Sequence, residues 1–178
     1  VIVSGTVDTS TLGTYTVTYT ATDTAGNIGT ATRTVEVFVD NVAVGNWRGG
    51  GVVFYIADTP TDLDGNGTLD TGWVCSSADI NTGVSNWYNA IDICADYTVT
   101  SGGIVYDDWR LPSTGVLNWL YLKRSNVNIT NTMWYWSSTT STAWDGNGLA
   151  WEQHFDDGVR QTYFKSEAYN AVRAVRAF

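Results

Sequence analysis

From Thr14 to Thr22 every second residue is a threonine, and Tyr15, Val17, Tyr19 and Ala21 stand between them. A repeat of period two puts its two sets on opposite faces of an extended chain and would scatter them around a helix. This segment is therefore a strand. Asp23-Thr24-Ala25-Gly26-Asn27 reads as a turn, after which Ala31, Val35 and Val37 alternate with Thr30, Thr32 and Thr34. The spacing predicts a β-hairpin with one apolar face. Two strands cannot bury such a face alone. It must pack on a partner, or belong to a sandwich cut off at its N-terminal side.

Residues 43–178 carry a different pattern. Gly49-Gly50-Gly51 leads into Val52-Val53-Phe54-Tyr55-Ile56, an unbroken apolar run that reads as a short buried strand. Trp73-Val74-Cys75 reads as another. Trp87, Ala90, Ile91, Ile93 and Cys94 fit helical spacing. Ser113, after Trp109-Arg110-Leu111-Pro112, is a candidate N-cap for a second helix bearing Val116, Leu117, Leu120 and Tyr121. Beyond Trp134 the chain reads as strands over 134–138, 149–155, 159–165 and 170–177, with a hairpin turn at Asp156-Asp157-Gly158. The class is α+β, with two small helices and a mostly antiparallel sheet. The division expected is a β-hairpin spacer over 1–39 and one compact domain over 43–178. The chain starts at Val1 inside a strand-like pattern and is expected to be a piece of a longer polypeptide.

Charge narrows the partners. Eighteen acids against nine bases leave a net charge of −9. No basic patch is available to neutralise a phosphate backbone, which argues against nucleic acid as a partner. An anionic membrane surface is disfavoured for the same reason, and no apolar run approaches a bilayer span. Catalysis finds little support. His154 is the one histidine. The adjacent acids Asp107-Asp108 and Asp156-Asp157 point apart on a strand and do not make a catalytic pair. No nucleophile elbow, phosphate-binding glycine loop or zinc spacing occurs. The expectation is a protein that is not an enzyme. Nine Trp and ten Tyr, with two Lys, are the palette of an adaptable binding surface.

Two stretches carry metal or thiol chemistry. Asp62, Asp64, Asn66 and Asp70 supply oxygens at positions 1, 3, 5 and 9, with Gly67 at 6, matching the front of a calcium loop. Thr68 would add its backbone carbonyl, and Asp58 lies close enough in sequence to complete the shell. Position 12 is Trp73, not the bidentate Glu of an EF-hand. The alternative is an ordinary solvated acidic turn. Cys75 and Cys94 are the two cysteines. In a lysine-poor chain of secreted character they suggest one disulfide, with free thiols as the alternative. Arg173 and Arg176 stand among Val172, Ala174 and Val175, so at least one is expected to be tied to a carboxylate.

Several short words recur in a familiar order. They are Gly50-Gly51-Val52-Val53-Phe54-Tyr55, Trp87-x-x-Ala90 with Cys94, Asp108-Trp109-Arg110-Leu111-Pro112-Ser113, Trp134-Tyr135-Trp136-Ser137-Ser138-Thr139, Ala150-Trp151, Phe155-x-x-Gly158 and Ala171-Val172-Arg173-Ala174-Val175-Arg176. Over residues 49–178 they resemble the C-terminal domain of the Legionella collagen-like protein and its bacterial relatives. That resemblance implies a C-type-lectin-like fold, an extracellular, cell-surface or virion-surface setting, and a glycan- or sulfated-polysaccharide-binding adhesin as one reading. The Glu-Pro-Asn and Gln-Pro-Asp words of calcium-dependent sugar binding are absent. The run Gly13–Asn27 resembles the closing strands of bacterial Ig-like surface repeats.

The same fold implies a second reading. It is used by variable proteins of diversity-generating retroelements, in which adenines of Asn-type codons near the C-terminus are randomised. Changing the first two bases of AAC or AAT cannot produce Trp, Glu, Gln, Lys or Met. Trp144, Trp151, Glu152, Gln153, Gln161 and Lys165 would then be fixed. Asp145, Gly146, Asn147, Gly148, His154, Asp156, Arg160, Tyr163, Phe164 and Tyr169 would be open to variation. With Trp151 and Phe155 in the core, a period of two sends Glu152, His154 and Asp156 to solvent. A patch of Trp144, Asn147, His154, Arg160, Tyr163 and Phe164 would suit recognition of a protein or cell-surface ligand. The plain alternative is a set of unrelated exposed loop residues.

Overall fold

A computed structural model describes residues 1–11, 13–37, 42–81, 83–142 and 148–178. The chain divides into two compact units, Val1–Asn41 and Val42–Phe178. In the first unit, β1 (Ile2–Ser4), β2 (Gly13–Thr22) and β3 (Ile28–Val37) form an antiparallel sheet in that order. Tyr15 lies opposite Val35 and Tyr19 opposite Ala31, so the apolar sets of both strands share one face. The turn is tied by Asp23, whose Oδ1 accepts from the backbone N–H groups of Ala25 and Asn27, each at 2.9 Å. The side-chain amide of Asn27, and then these backbone bonds, hold the Asp23 carboxyl below its ordinary value. No described residue of this unit is buried; Tyr15, Val17, Tyr19, Val35 and Val37 are intermediate in exposure, and Ala21 and Ala31 are exposed.

The second unit begins with β4 (Trp47–Arg48), β5 (Gly51–Thr61) and β6 (Asp70–Cys75). Then come α1 (Trp87–Ala95), the small hairpin β7 (Val99–Ser101) and β8 (Ile104–Tyr106), and α2 (Thr114–Leu122). β9 (Trp134–Ser141), β10 (Leu149–His154), β11 (Arg160–Phe164) and β12 (Val175–Ala177) complete it. One sheet has the order β12-β6-β5-β4 and another β11-β10-β9, and all their strand pairs are antiparallel. The α+β class expected from the sequence is what the structure shows. Both helices start where side-chain caps were legible or available. Ser113 accepts from the N–H of Val116, and Asn86 from that of Asn89.

The unbroken apolar words are strands covered on both faces. Val53 and Val74 face one core cluster, with Trp109, Trp136 and Val172. Phe54 and Cys75 face the other, with Leu117, Leu120, Tyr135 and Phe155. Gly51 is needed where it stands. A Cβ there would lie 2.6 Å from the Cys75 carbonyl and 2.8 Å from the Trp109 ring.

Both C-terminal arginines are tied down. Arg176 clamps Asp108 through Nε at 2.5 Å and a terminal nitrogen at 3.1 Å. Buried Arg173 donates to the Ser76 carbonyl at 2.9 Å, and its Nε lies 3.1 Å from Asp79 as an ion pair. Asp79 also accepts from the Tyr135 hydroxyl and the Asn131 amide. Burial, reinforced by that carboxylate, pushes the Tyr135 phenol well above its usual range.

Two expectations need correction, and one element had none. The last strand spans Val175–Ala177 rather than 170–177, because Asn170 and Ala171 make only single bridges, to Ser85 and Tyr135. The β7–β8 hairpin carried too short a pattern to be seen. The two cysteines form no disulfide: Cys75 and Cys94 are free, buried thiols, packed in different core clusters. Burial pushes both up to about 12, which leaves them inert as well as unpaired.

Candidate functional site

The acidic loop lies between β5 and β6. Its carboxylates are drawn inward by the backbone of the turn. Asp62 accepts from the N–H groups of Gly65, Asn66 and Gly67, at 2.7, 3.1 and 3.1 Å. Asp64 accepts from the Asn66 backbone at 3.0 Å, and Asp70 from Leu63 N–H at 3.0 Å. The Asn66 side-chain carbonyl accepts from both the backbone and the hydroxyl of Thr68. One oxygen from each of Asp62, Asp64 and Asp70 falls within 4.8 Å of the others. Such crowding of like charges favours a bound cation. An opposing feature was not legible in the sequence: Arg110 reaches the loop and pairs with Asp64 at 2.7 Å, while also donating to its carbonyl. A cation there would share Asp64 with a guanidinium. Asp58 lies in β5, exposed.

The second region is the sheet β9-β10-β11. Its register sorts the expected ligand residues. Gln153 pairs with Arg160, Trp151 with Thr162 and Leu149 with Phe164, so these share one face. Glu152 pairs with Gln161 and Ala150 with Tyr163, and these share the other. Arg160 and Phe164 therefore belong to one side, Tyr163 and His154 to its reverse. The rings of Tyr163 and Phe164 still meet edge-to-face at 6.1 Å, at the free edge of the sheet. Asp156 is exposed in the turn. Trp144, Asp145 and Asn147 lie outside the described residues.

Each side carries a depression. On the first, Trp151, Arg160 and Thr114 line an open hollow of about 360 Å³. On the second, Trp134, Glu152, Gln161, Tyr163, Tyr169 and Asn170 line one of about 220 Å³. Glu152 is 3% exposed, not solvent-facing as its alternation suggested. The reason is positional. Ala150 and Glu152 on one face of β10 and Gln153 on the other are all buried, and the register with β9 slips between Ala150 and Glu152. Glu152 is held by Gln161 at 2.7 Å and Asn170 at 2.6 Å. Nothing in the residue spacing announced this pair.

His154 is half-buried against Trp134, with ring centroids 4.9 Å apart. Its Nδ1 lies 2.9 Å from Asp157. The Val159 backbone N–H, and then His154, hold the Asp157 carboxyl below its ordinary value. Lys165, 6% exposed, sets its ammonium 4.5 Å from the centre of the Trp87 ring.

Comparison with known families agrees with the reading of the motif words. Residues 1–37 match the bacterial surface protein Ig-like domain, and residues 56–176 match the Lcl C-terminal domain. No curated protein matches the chain. Among the described residues no helix is long and apolar enough to cross a membrane. The two domain matches mark a surface-associated protein. With residues 56–176 of its 178 matched, the chain belongs to the Lcl C-terminal domain family.

Proposed function

We propose that this chain is a ligand-binding module displayed at a cell or virion surface, recognising a protein or cell-surface ligand through its β10–β11 region and the segment up to Asn170. The observation that carries the reading is the density of exposed aromatics there. Tyr163, Phe164 and Tyr169 are exposed, and their rings form a contiguous series with centroid spacings of 6.1 and 6.3 Å. Large aromatic rings left in solvent, two of them lining a hollow, are the anchors binding surfaces use. The domain has the C-type-lectin-like architecture implied by its motif words. It performs no catalysis.

Retroelement diversification is the specific form of this reading. The aromatics Tyr163, Phe164 and Tyr169 are all reachable from an Asn codon, whereas buried Glu152, Gln153 and Lys165 are not. A surface open to change over a fixed interior is what such a device needs. Sequencing the locus tests it: a near-identical template repeat and a nearby reverse transcriptase are expected, and their absence would end it. Calcium is the proposed cofactor, held by Asp62, Asp64 and Asp70 with Asn66 and Thr68 completing the loop. It would order the turn rather than touch the ligand.

The binding test uses the full chain, fluorescently labelled, on bacterial and host cells read by flow cytometry. Saturable binding lost in the Tyr163→Ala/Phe164→Ala/Tyr169→Ala variant is expected. Unchanged binding by that variant would move the site elsewhere. Turnover of any hydrolytic or oxidative substrate would refute the binding-module class. A glycan-binding adhesin is the second reading, favoured by the same aromatics, which suit stacking on sugar rings. The charge of −9 counts against a polyanionic glycan.

A further inference from the structure

We propose that the hollow beside Glu152 is a subsite for a basic side chain, lysine or arginine, presented by a protein partner. The proposal rests on the ligand-binding reading and names the chemistry of one contact in it.

Three observations converge. The first is an uncompensated charge. Glu152 is buried, and both of its oxygens are held by neutral amides, Gln161 and Asn170. Among the described residues no Lys, Arg or His pairs with it; the pairs found there involve Asp64, Asp79, Asp108 and Asp157. A buried carboxylate without a cation is costly, and a cation entering the hollow relieves that cost. Arg173 and Arg176 are committed to Asp79 and Asp108.

The second observation is the shape and material of the walls. Tyr163 and Tyr169 stand at 76° to one another, 6.3 Å between centroids, and Trp134 lines the same hollow. Two rings near a right angle with a third close by make an aromatic corner, whose ring faces attract ammonium and guanidinium groups. The volume of about 220 Å³ accepts the end of one long side chain and excludes a folded element.

The third is the field. A chain of net charge −9 attracts a basic partner and repels an acidic one before contact is made. The hollow also divides by codon chemistry. Glu152, Gln161 and Trp134 are beyond the reach of Asn-codon randomisation, while Tyr163 and Tyr169 are within it. A constant acidic floor would then fix the charge of the ligand, and variable walls would tune its shape.

The test is a titration of the ¹⁵N-labelled full chain with Nα-acetyl-lysine methylamide, its arginine counterpart, and the neutral norleucine analogue. The Trp134 indole N–H and the side-chain amides of Gln161 and Asn170 are the reporters. Saturable shifts are expected with the two basic probes, at least about fivefold weaker with norleucine, and about fivefold weaker in Tyr163→Ala and in Tyr169→Ala. Both tyrosines are exposed, so these variants keep the fold, verified by an unmoved Trp136 indole signal. Glu152→Gln should erase the preference for charge. Because it sets one amide against two others and can misfold, the tyrosine variants carry the test. Equal response to norleucine, no saturable shift at tens of millimolar, or unchanged binding in both tyrosine variants would overturn the proposal. If the basic probes are silent while cell binding still depends on the three exposed aromatics, the subsite fails and the broader reading stands. If the probes bind here while cell binding ignores those aromatics, the subsite stands and the broader reading falls.

Discussion

The two units of the chain use the same residues to opposite ends. Tyr, Val and Thr alternate cleanly through β2 and β3, yet no described residue there is buried. In the second unit alternation is poor, yet Val53, Phe54, Val74, Tyr135, Trp136 and Val172 are almost wholly enclosed. Alternation reports that a strand has two unlike faces; it does not supply anything to cover the apolar one. The second unit covers both sides of its central strands with helices and loops, so its signal is a run rather than a rhythm. Periodicity therefore identifies the strands of the first unit and understates the burial of the second.

The largest expected effect breaks or upholds that contrast directly. Trp136 is 1% exposed and donates its indole N–H to the Ser85 carbonyl at 2.8 Å. Trp136→Ala is expected to cost about 3–5 kcal/mol in urea unfolding, from lost transfer energy and the cavity left behind. Tyr19, half-buried opposite Ala31, is the matching position in the first unit. Tyr19→Ala is expected to cost about 1 kcal/mol or less, the value of a cross-strand pair. Equal costs would mean that the apolar face of the hairpin is covered as fully as the core of the second unit.

Acidic turns sharpen the comparison. Asp23 and Asp62 do the same local work, accepting backbone N–H groups of their own turns. The difference is company: Asp62 has Asp64 and Asp70 within reach of one ion. Calcium at a hundredfold excess over its Kd is expected to stabilise the chain by about 2.7 kcal/mol. That is a rise in Tm of about 5 °C or more, reversed by chelator. Asp64→Asn should remove most of the rise and Asp23→Asn none of it. No shift in the unaltered chain would make the second turn the equal of the first, a solvated loop braced by Arg110.

A smaller effect is expected at a helix end. Ser113 accepts from Val116 N–H at 3.4 Å, a long bond at a partly covered site. Ser113→Ala should lower the urea midpoint by the equivalent of about 0.5–1 kcal/mol, the lower part of the range for N-caps. A loss as large as that of Trp136→Ala would show that the cap, not the core, holds α2 in place.

What was legible follows from how local each signal is. The hairpin, both helices, the Ser113 cap and the carboxylates of the acidic loop depend on residues within a few positions of one another, and all were readable. The burial of Glu152 has no local signal because it depends on Gln161 and Asn170, 9 and 18 residues away, and on a register slip against β9. Arg160 and Tyr163 were grouped on one surface because loop residues were counted with strand residues; the pairing of β10 with β11 separates them. Arg110 on Asp64, 46 residues apart, had no local signature at all. The family words succeeded where periodicity failed because they record tertiary neighbours that no short window contains.

The cysteines give the smallest expected effect, and an instructive one, because two thiols were read as a staple and are packing instead. Cys75 and Cys94 are both within the second unit and both pushed up to about 12 by burial. At pH 8 each is about four units below that value, so roughly one molecule in ten thousand holds a thiolate. Iodoacetamide should leave the native chain unmodified and alkylate both cysteines once urea exposes them, with no reductant added. Reductant should leave Tm unchanged. The sign of the pH dependence follows from the raised values. The folded state holds its protons more tightly than the unfolded one, so the stability contributed is whole below pH 9 and is lost as pH climbs from 9.0 toward 12. A disulfide predicts the reverse on every count: blocked alkylation after unfolding, a Tm that falls with reductant, and no thiol ionisation to lose. The second unit would then owe its stability partly to a covalent link, and the contrast with the hairpin would no longer be one of packing alone.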